Sequence, residues 1–382
     1  MLRIYLPTTH TGAVLMAIHA EKTKNVETKD VLMIDYPPLK ESLIHLIKRS
    51  DVIHSWDKIV DFSKPINDDI NKKPSLRKQI TRKLKELPLI KNIYQKLLES
   101  YSLKQKKQFK LSIEDSLGGL KSNKIILNVL TKTALNEALF ELFPDAQINY
   151  FEHGIGDYMY YDQNKIKSGN FYSVFAKEFK AFLTNKNSKI SENVFDYING
   201  NEFETALKKL EKNTIISAPQ ELVKTKKPIV FLLLENVEMY AVEDCFWTDY
   251  IDVCLSKISN PNEYLFVIKP HHNQSFDAIK KTIDYMDLKK LDFFLLTKNN
   301  YMHMGAEILF YFIKSNTYFV FSLFSSSIYY LSKLYPSTEI GYYHGYNLFK
   351  KYTKKSPKQF TEIYEGIGPI ITNVLSGNCK KL

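Results

Sequence analysis

Cysteine is scarce in this 382-residue chain: Cys245, Cys254 and Cys379 are all it has. An odd number without metal-ligand spacing argues against a disulfide framework and a thiolate zinc site, and points to reduced thiols in a cytoplasmic setting. Long apolar runs are missing as well. The most apolar stretch, Tyr318 to Leu331, is broken by Ser322 and by Ser325-Ser326-Ser327, so it falls short of the roughly 18 apolar residues that a transmembrane helix needs. The opening Met1-Leu2-Arg3-Ile4-Tyr5-Leu6-Pro7 turns polar too soon for a secretory leader. P-loop, HExxH, CxxC and GxSxG patterns are absent too, which removes several nucleotide, metal and serine chemistries from consideration.

Charge is present in excess, and its location matters. The net charge is +11. Between Lys72 and Lys110 stand thirteen Lys and Arg against Glu86 and Glu99, while the rest of the chain balances forty bases with forty acids. One segment therefore carries the whole excess. Such a segment suits a polyanion, whether nucleic acid, an anionic membrane surface or an acidic polysaccharide; a solvated basic helix pair with no partner fits equally well. No RNA-binding aromatic motif or helix-turn-helix pattern favours nucleic acid.

The chain is too long for one ordinary core, so two domains are expected. Arg3 to Leu6 reads as a strand, Pro7 to Gly12 as a turn-rich loop, Ala13 to Ile18 as a helix and Val31 to Ile34 as a second strand. This βαβ opening predicts a parallel sheet with helices on both faces. Lys124 to Asn128 and Ile148 to Phe151 are further strands, with a helix from Thr131 to Phe143 between them. A helix over Glu202 to Lys212 and a Pro-containing linker over Thr214 to Lys227 follow.

Pro228 to Glu235 is then almost continuously apolar, as buried parallel strands are. It restarts the alternation, with strands at Tyr264 to Lys269, Phe293 to Leu296 and Tyr318 to Phe321. Helices are expected near Tyr250 to Ile258, Phe276 to Asp284, Ala306 to Ile313 and Ser327 to Lys333. The expected division is an N-terminal domain over 1–213 that includes the basic helical segment 72–110, and a C-terminal domain over 228–355. A closing segment, 356–382, is expected to cross back to the first domain. Two doubly wound α/β halves facing across a cleft fit the GT-B architecture, and fit other two-domain α/β proteins as well.

Four places could carry chemistry. Glu152-His153-Gly154 follows a strand directly, and Gly154 and Gly156 allow the backbone to turn tightly. A carboxylate at a strand end can take a proton from a hydroxyl; it can also cap a helix or pair with a lysine. Lys269-Pro270-His271-His272 ends a second strand, where a histidine can support a leaving phosphate. Metal binding by His271 and His272 is disfavoured, because neighbouring side chains on an extended chain diverge and no third ligand lies nearby. Ser322 to Ser327 stands where a strand yields to a helix. Hydroxyls and free amides there can hold an anion, or serine can simply cap the helix. Glu307 lies between these two segments and could hold a ribose, or could be an exposed first-turn glutamate. DxD-type metal signatures are missing, since Asp68-Asp69 sits in a polar loop.

Taken together, Glu152-His153-Gly154, Lys269-Pro270-His271-His272 and Ser322 to Ser327 resemble the bacterial sialyltransferases, most closely the capsular α-2,8-polysialyltransferase family. That family carries an acid-acid-Gly motif, a His-Pro motif and a later serine motif in this order. The resemblance spans residues 148 to 330. It departs from the family pattern at His153, in place of the middle acid, and at His272, in place of a proline.

The resemblance implies a GT-B fold and an inverting transfer of sialic acid from CMP-sialic acid, without metal or other cofactor, to an oligo- or polysialic acceptor in capsule synthesis. Glu152 would be the general base. His271 would stabilise the leaving CMP, helped by Ser325, Ser326, Lys269 and His272, and Glu307 would hold the ribose. Thr9, His10 and His153 would face the acceptor. Arg77, Lys78, Arg82 and Lys83 would retain the anionic chain. Peripheral association with the cytoplasmic face of the inner membrane or with a capsule export complex is a further expectation. The rivals are a transferase of the same architecture using another CMP- or nucleotide-diphosphate sugar, and a non-enzymatic module binding a polyanion or membrane.

Overall fold

The computed structural model describes residues 1–34, 41–62, 107, 110–118, 120, 122–130, 134–152, 169–185, 193–196, 198–234, 243, 245–271, 274–297, 301–322, 325–344, 348, 351–352 and 379–381. Most of the basic segment 72–110, with Arg77, Lys78, Arg82 and Lys83, lies outside them, as do His153, His272 and residues 353–378.

Two parallel sheets form the framework. The first contains β1 (Leu2–Leu6), β2 (Lys29–Ile34), β3 (Lys58–Asp61), β4 (Ile125–Val129), β5 (Gln147–Phe151), β6 (Asn170–Ser173) and β7 (Val194–Asp196), in the order β3-β2-β1-β4-β5-β6-β7. The second contains β8 (Ile229–Leu233), β9 (Leu265–Lys269), β10 (Phe293–Leu295), β11 (Thr317–Ser322), β12 (Ile340–His344) and β13 (Cys379–Lys381), in the order β10-β9-β8-β11-β12-β13. All the registered pairs are parallel. In each sheet the chain winds outward one way, returns to the centre and winds out the other way. The reversals fall between β1 and β4 and between β8 and β11, and open α/β sheets bind ligands outside strand C-termini at such points.

The expected doubly wound α/β fold is therefore present twice. The predicted strands and helices recur within a few residues, whereas β3, β6, β7, β12 and β13 add to the prediction. Each added strand has six residues or fewer, and several start on polar residues. The linker over 214–227 contains a short helix, Gln220–Lys224. Of the closing segment, Cys379–Lys381 pairs with β12 as an edge strand of the second sheet; the expected crossing to the first domain by residues 356–378 lies outside the described residues. The open edge of β12 supplies the backbone partners that make this docking favourable.

Helices cover the sheets: α1 (His10–Lys22), α2 (Glu41–Lys48), α3 (Ala134–Leu142), α4 (Ala176–Asn185), α5 (Gly200–Lys212), α6 (Gln220–Lys224), α7 (Phe246–Leu255), α8 (Phe276–Leu288), α9 (Ala306–Ile313) and α10 (Ser327–Leu334). β8 shows why its sequence is unbroken by polar residues. Ile229, Phe231 and Leu233 enter the core shared with the first half, and Val230 and Leu232 enter a second core beneath α7 and α8. Both faces of the strand are buried.

The two halves meet through α5. Its start is fixed by a capping box, in which Asn199 accepts from the Glu202 amide and Glu202 reaches back to the Asn199 amide. Gly200 lies so close to the second half that a Cβ there would sit 2.3 Å from the Leu334 carbonyl oxygen. Phe203 packs against Tyr335, Glu204 pairs with Lys314, and Glu211 accepts from the Tyr311 hydroxyl at 2.8 Å. Among the described residues no helix is long and apolar enough to cross a membrane.

A buried charge network ties β1 to β2 at their N-terminal ends. The Arg3 guanidinium donates twice to Asp30, both at 2.6 Å, and donates to Thr23. His54 lies 2.9 Å from Asp30 on one side and 2.9 Å from Glu21 on the other. Burial alone would raise the Asp30 carboxyl, but the hydrogen bonds from His54 and Arg3 outweigh it and hold the group below its ordinary value of 3.8. Asp30→Asn leaves Arg3 uncompensated and should cost about 3–5 kcal/mol in urea unfolding at neutral pH. A carboxyl lowered by folding contributes its stability above the unfolded value and loses it as the pH falls through the folded one. The wild-type and Asp30→Asn stabilities should therefore converge only in acid below pH 3.8.

Candidate functional site

The C-terminal ends of the two sheets face each other, and two contacts establish this. Thr11, in the first turn of the helix that follows β1, donates its hydroxyl to Glu307 Oε2 at 2.9 Å, in the first turn of α9. Phe175, just past β6, packs edge-on against Tyr330 at the start of α10 with ring centroids 5.2 Å apart. Gly305 makes the first contact fit, because a Cβ there would lie 2.4 Å from Thr11 Oγ1. The C-terminal ends of β1 and β6 in the first half thus meet α9 and α10 of the second.

Glu152 emerges from β5 into this region and is buried. Its carboxylate is pinned to the neighbouring strand: Ser173 Oγ donates to Oε2 at 2.7 Å, and the Val174 amide donates to Oε1 at 2.7 Å. Val174 directly precedes Phe175, so Glu152 is one residue removed from the contact with Tyr330. Tyr330 in turn follows the serine segment. The strand end that holds Glu152 thus leads, through Phe175, to a contact with the helix that follows Ser325 and Ser326.

The serine segment lies at the β8/β11 reversal. Ser322 Oγ accepts from the Ser325 amide at 2.9 Å, and Ser325 Oγ accepts from the Ser327 amide at 3.3 Å. Ser326 is the N-cap residue of α10 but makes no side-chain capping bond. Ser325 thus takes the capping work, and the alternative of anion binding remains compatible with the hydroxyl of Ser326. His271 stands at the end of β9, two strands from β11. Its amide donates to Gln274 Oε1 at 3.2 Å and its carbonyl accepts from the Gln274 amide at 2.9 Å, a closed turn that fixes the backbone at the start of α8. The Lys269 ammonium donates to the Met302 carbonyl at 3.2 Å and the Pro270 carbonyl at 3.4 Å, which holds it against the loop before α9.

Glu307 is buried, not the exposed first-turn residue of the alternative expectation. Among the described residues Thr11 is the one hydrogen-bond partner of its carboxylate. The Tyr335 hydroxyl donates to its backbone carbonyl at 2.5 Å. Thr9 caps α1 by accepting from the Gly12 amide at 2.9 Å, and His10, buried, opens that helix at the β1/β4 reversal. Among the described residues no group of three His, Cys, Asp or Glu side chains is arranged for a metal ion.

Sequence reasoning missed Thr11, Ser173 and Gln274. The one available signal for Ser173 was the short alternating run Asn170-Phe171-Tyr172-Ser173, which marks a strand end next to that of Glu152. Thr11 and Gln274 had none, because hydroxyl and amide side chains in loops are common.

No protein-family model matches the sequence, and no curated protein does. Solved structures do match. The UDP-GlcNAc 2-epimerase from Neisseria meningitidis, bound to UDP-GlcNAc, aligns over 98% of this chain and 100% of its own, with a TM-score of 0.55 at 14% identity. The UDP-GlcNAc 2-epimerase from Methanocaldococcus jannaschii aligns over 100% and 88%, with a TM-score of 0.52 at 11% identity. The S. aureus MnaA–UDP structure aligns over 98% and 88%, with a TM-score of 0.50 at 12% identity. At these identities the likeness establishes the shared two-domain fold.

The Thr11–Glu307 contact can be tested without any substrate. Thr11→Val keeps the shape but removes the hydroxyl, and should cost about 1–2 kcal/mol in urea unfolding. Thr11→Ser should restore most of that loss.

Proposed function

We propose that this chain is a sugar-nucleotide-dependent enzyme, and in particular a metal-independent inverting sialyltransferase that extends an oligo- or polysialic acceptor from CMP-sialic acid. The observation that carries the reading is the placement of Glu152: a buried carboxylate at a strand C-terminus, bound to the residue next to Phe175, which meets Tyr330 of the second half. The solved structures of the same fold that contain UDP or UDP-GlcNAc support a nucleotide-sugar ligand for the cleft.

In this mechanism the donor sits on the second half. Ser325 and Ser326, at the head of α10, and His271, at the end of β9, hold its phosphate with Lys269 and His272 beside them. Glu307 holds the ribose. With Oε2 engaged by Thr11, the second carboxylate oxygen is the one left for a ribose hydroxyl. The acceptor enters from the first half, past Thr9, His10 and His153. Glu152 removes the proton from its hydroxyl as that oxygen attacks the anomeric carbon, and CMP leaves from the opposite face with inversion. The two hydrogen bonds on Glu152 fix the orientation of its carboxylate, which a general base requires. A monophosphate leaving group carries less charge than a diphosphate, so donor side chains can stabilise it without a divalent cation.

A second reading is favoured by the same solved structures: an enzyme acting on a nucleotide-diphosphate sugar. A donor panel separates the two. Purified protein incubated with an oligosialic acceptor should turn over CMP-sialic acid, equally with and without EDTA, and leave UDP-GlcNAc unchanged. Consumption or epimerisation of UDP-GlcNAc would favour the second reading. Glu152→Gln should lower kcat by at least about 100-fold; a polyanion-binding module would be indifferent to it. Neutralising Arg77, Lys78, Arg82 and Lys83 together should shorten the products while sparing transfer to a short acceptor, because a line of cations retains a polyanion between additions.

A further inference from the structure

The clamp on Glu152 has a direction that its hydrogen bonds settle. The Phe175 amide donates to Ser173 Oγ at 2.8 Å. A hydroxyl that accepts this bond turns its own proton outward, and Glu152 Oε2 stands 2.7 Å away to receive it. Ser173 is 1% exposed and Glu152 4%, so water does not compete strongly for either group. The result is a relay from backbone amide to hydroxyl to carboxylate, with the Val174 amide on the second oxygen. Such an arrangement exceeds what a strand-to-strand lock requires, since the Glu152 amide already donates to the Tyr172 carbonyl at 3.2 Å.

We infer that Ser173 is the positioning residue for Glu152, holding the carboxylate charged and aimed from the end of β5. The inference rests on Glu152 acting as general base. Side chains alternate across the sheet. Tyr150 stacks on Phe171 on the side of Ser173, and Phe151 stacks on Tyr172 on the other, where His19 of α1 packs against both rings.

Among the described residues, titratable groups around this strand end include Tyr172, His19, Glu178 in the first turn of α4, and Tyr330 and Lys333 of α10, the last two against Phe175. Burial raises Tyr172 and pushes His19 down to about 4. All of these groups are shared by wild type and variant, so a difference between the two reports on the clamp itself.

The test is the pH profile of kcat/KM with CMP-sialic acid and an oligosialic acceptor. Removing a hydrogen bond to the charged form raises the pKa of a carboxyl, so the acid limb of Ser173→Ala should move up by about one pH unit. The plateau at higher pH should stay within a few-fold of wild type. Ser173→Cys, a weaker donor of similar volume, should shift the limb by less, and it carries the comparison if Ser173→Ala does not fold. An acid limb that stays in place in these variants, with Glu152→Gln inactive, overturns the inference and leaves the proposed function standing.

If wild type does not turn over this pair, or Glu152→Gln keeps its rate, the proposed function falls. The clamp is then decided by urea unfolding of Ser173→Ala, Glu152→Gln and the double variant. Coupling of at least about fivefold in the unfolding constant at neutral pH is expected, and additivity overturns the inference.

Discussion

Everything about the cleft depends on α5. This helix belongs to the first half in sequence, yet it packs against α1 on one side and against α9 and α10 on the other. Gly200 lets its first turn approach the end of α10 at backbone distance, and Glu204 and Glu211 tie it to Lys314 and Tyr311. With α5 in place, one apolar core runs from the first sheet into the near face of the second. At the C-terminal ends of the two sheets, Thr11 of α1 then meets Glu307 of α9. A hydrogen bond between residues 296 positions apart is thus made possible by packing several turns away.

The two ends of the first sheet use buried charge in opposite ways. At the N-terminal end Arg3, Asp30 and His54 satisfy one another from several sides and add to the ladder between β1 and β2. That network is structural: Arg3 also donates to the Thr23 and Ala20 carbonyls, and the Asp30 amide donates to Asp57. At its C-terminal end Glu152 is buried and held by the Ser173 hydroxyl and the Val174 amide, and across the junction Glu307 of α9 is buried against the Thr11 hydroxyl.

Much of the fold was legible from the sequence because its strongest elements are periodic or continuously apolar. β8 stood out as a buried parallel strand, and the restart it marks divides the chain. The strands that escaped notice were short, like Lys58–Asp61 and Val194–Asp196, or began with polar residues, like Asn170–Ser173. They are strands because a neighbour offers a ladder, and that information is not local. Glu152, His271, Glu307 and the serines were visible because each sits just past an apolar strand or at a helix start.

What the sequence by itself determined is therefore the alternation of strands and helices, the two halves, and the positions of acid, imidazole and hydroxyl groups at strand ends. The partners of those groups were decided only by tertiary structure. Whether Glu152 capped a helix, met a lysine or was clamped by Ser173 depended on which strand lay beside β5, and a pairing between strands some twenty residues apart is set by the packing of the whole sheet. Glu307 was likewise a first-turn glutamate of unknown exposure until α5 brought the halves together and buried it against Thr11. Residue type and local pattern say where a charge can stand; only the closed fold determines what faces it, because that is set by contacts distant in sequence.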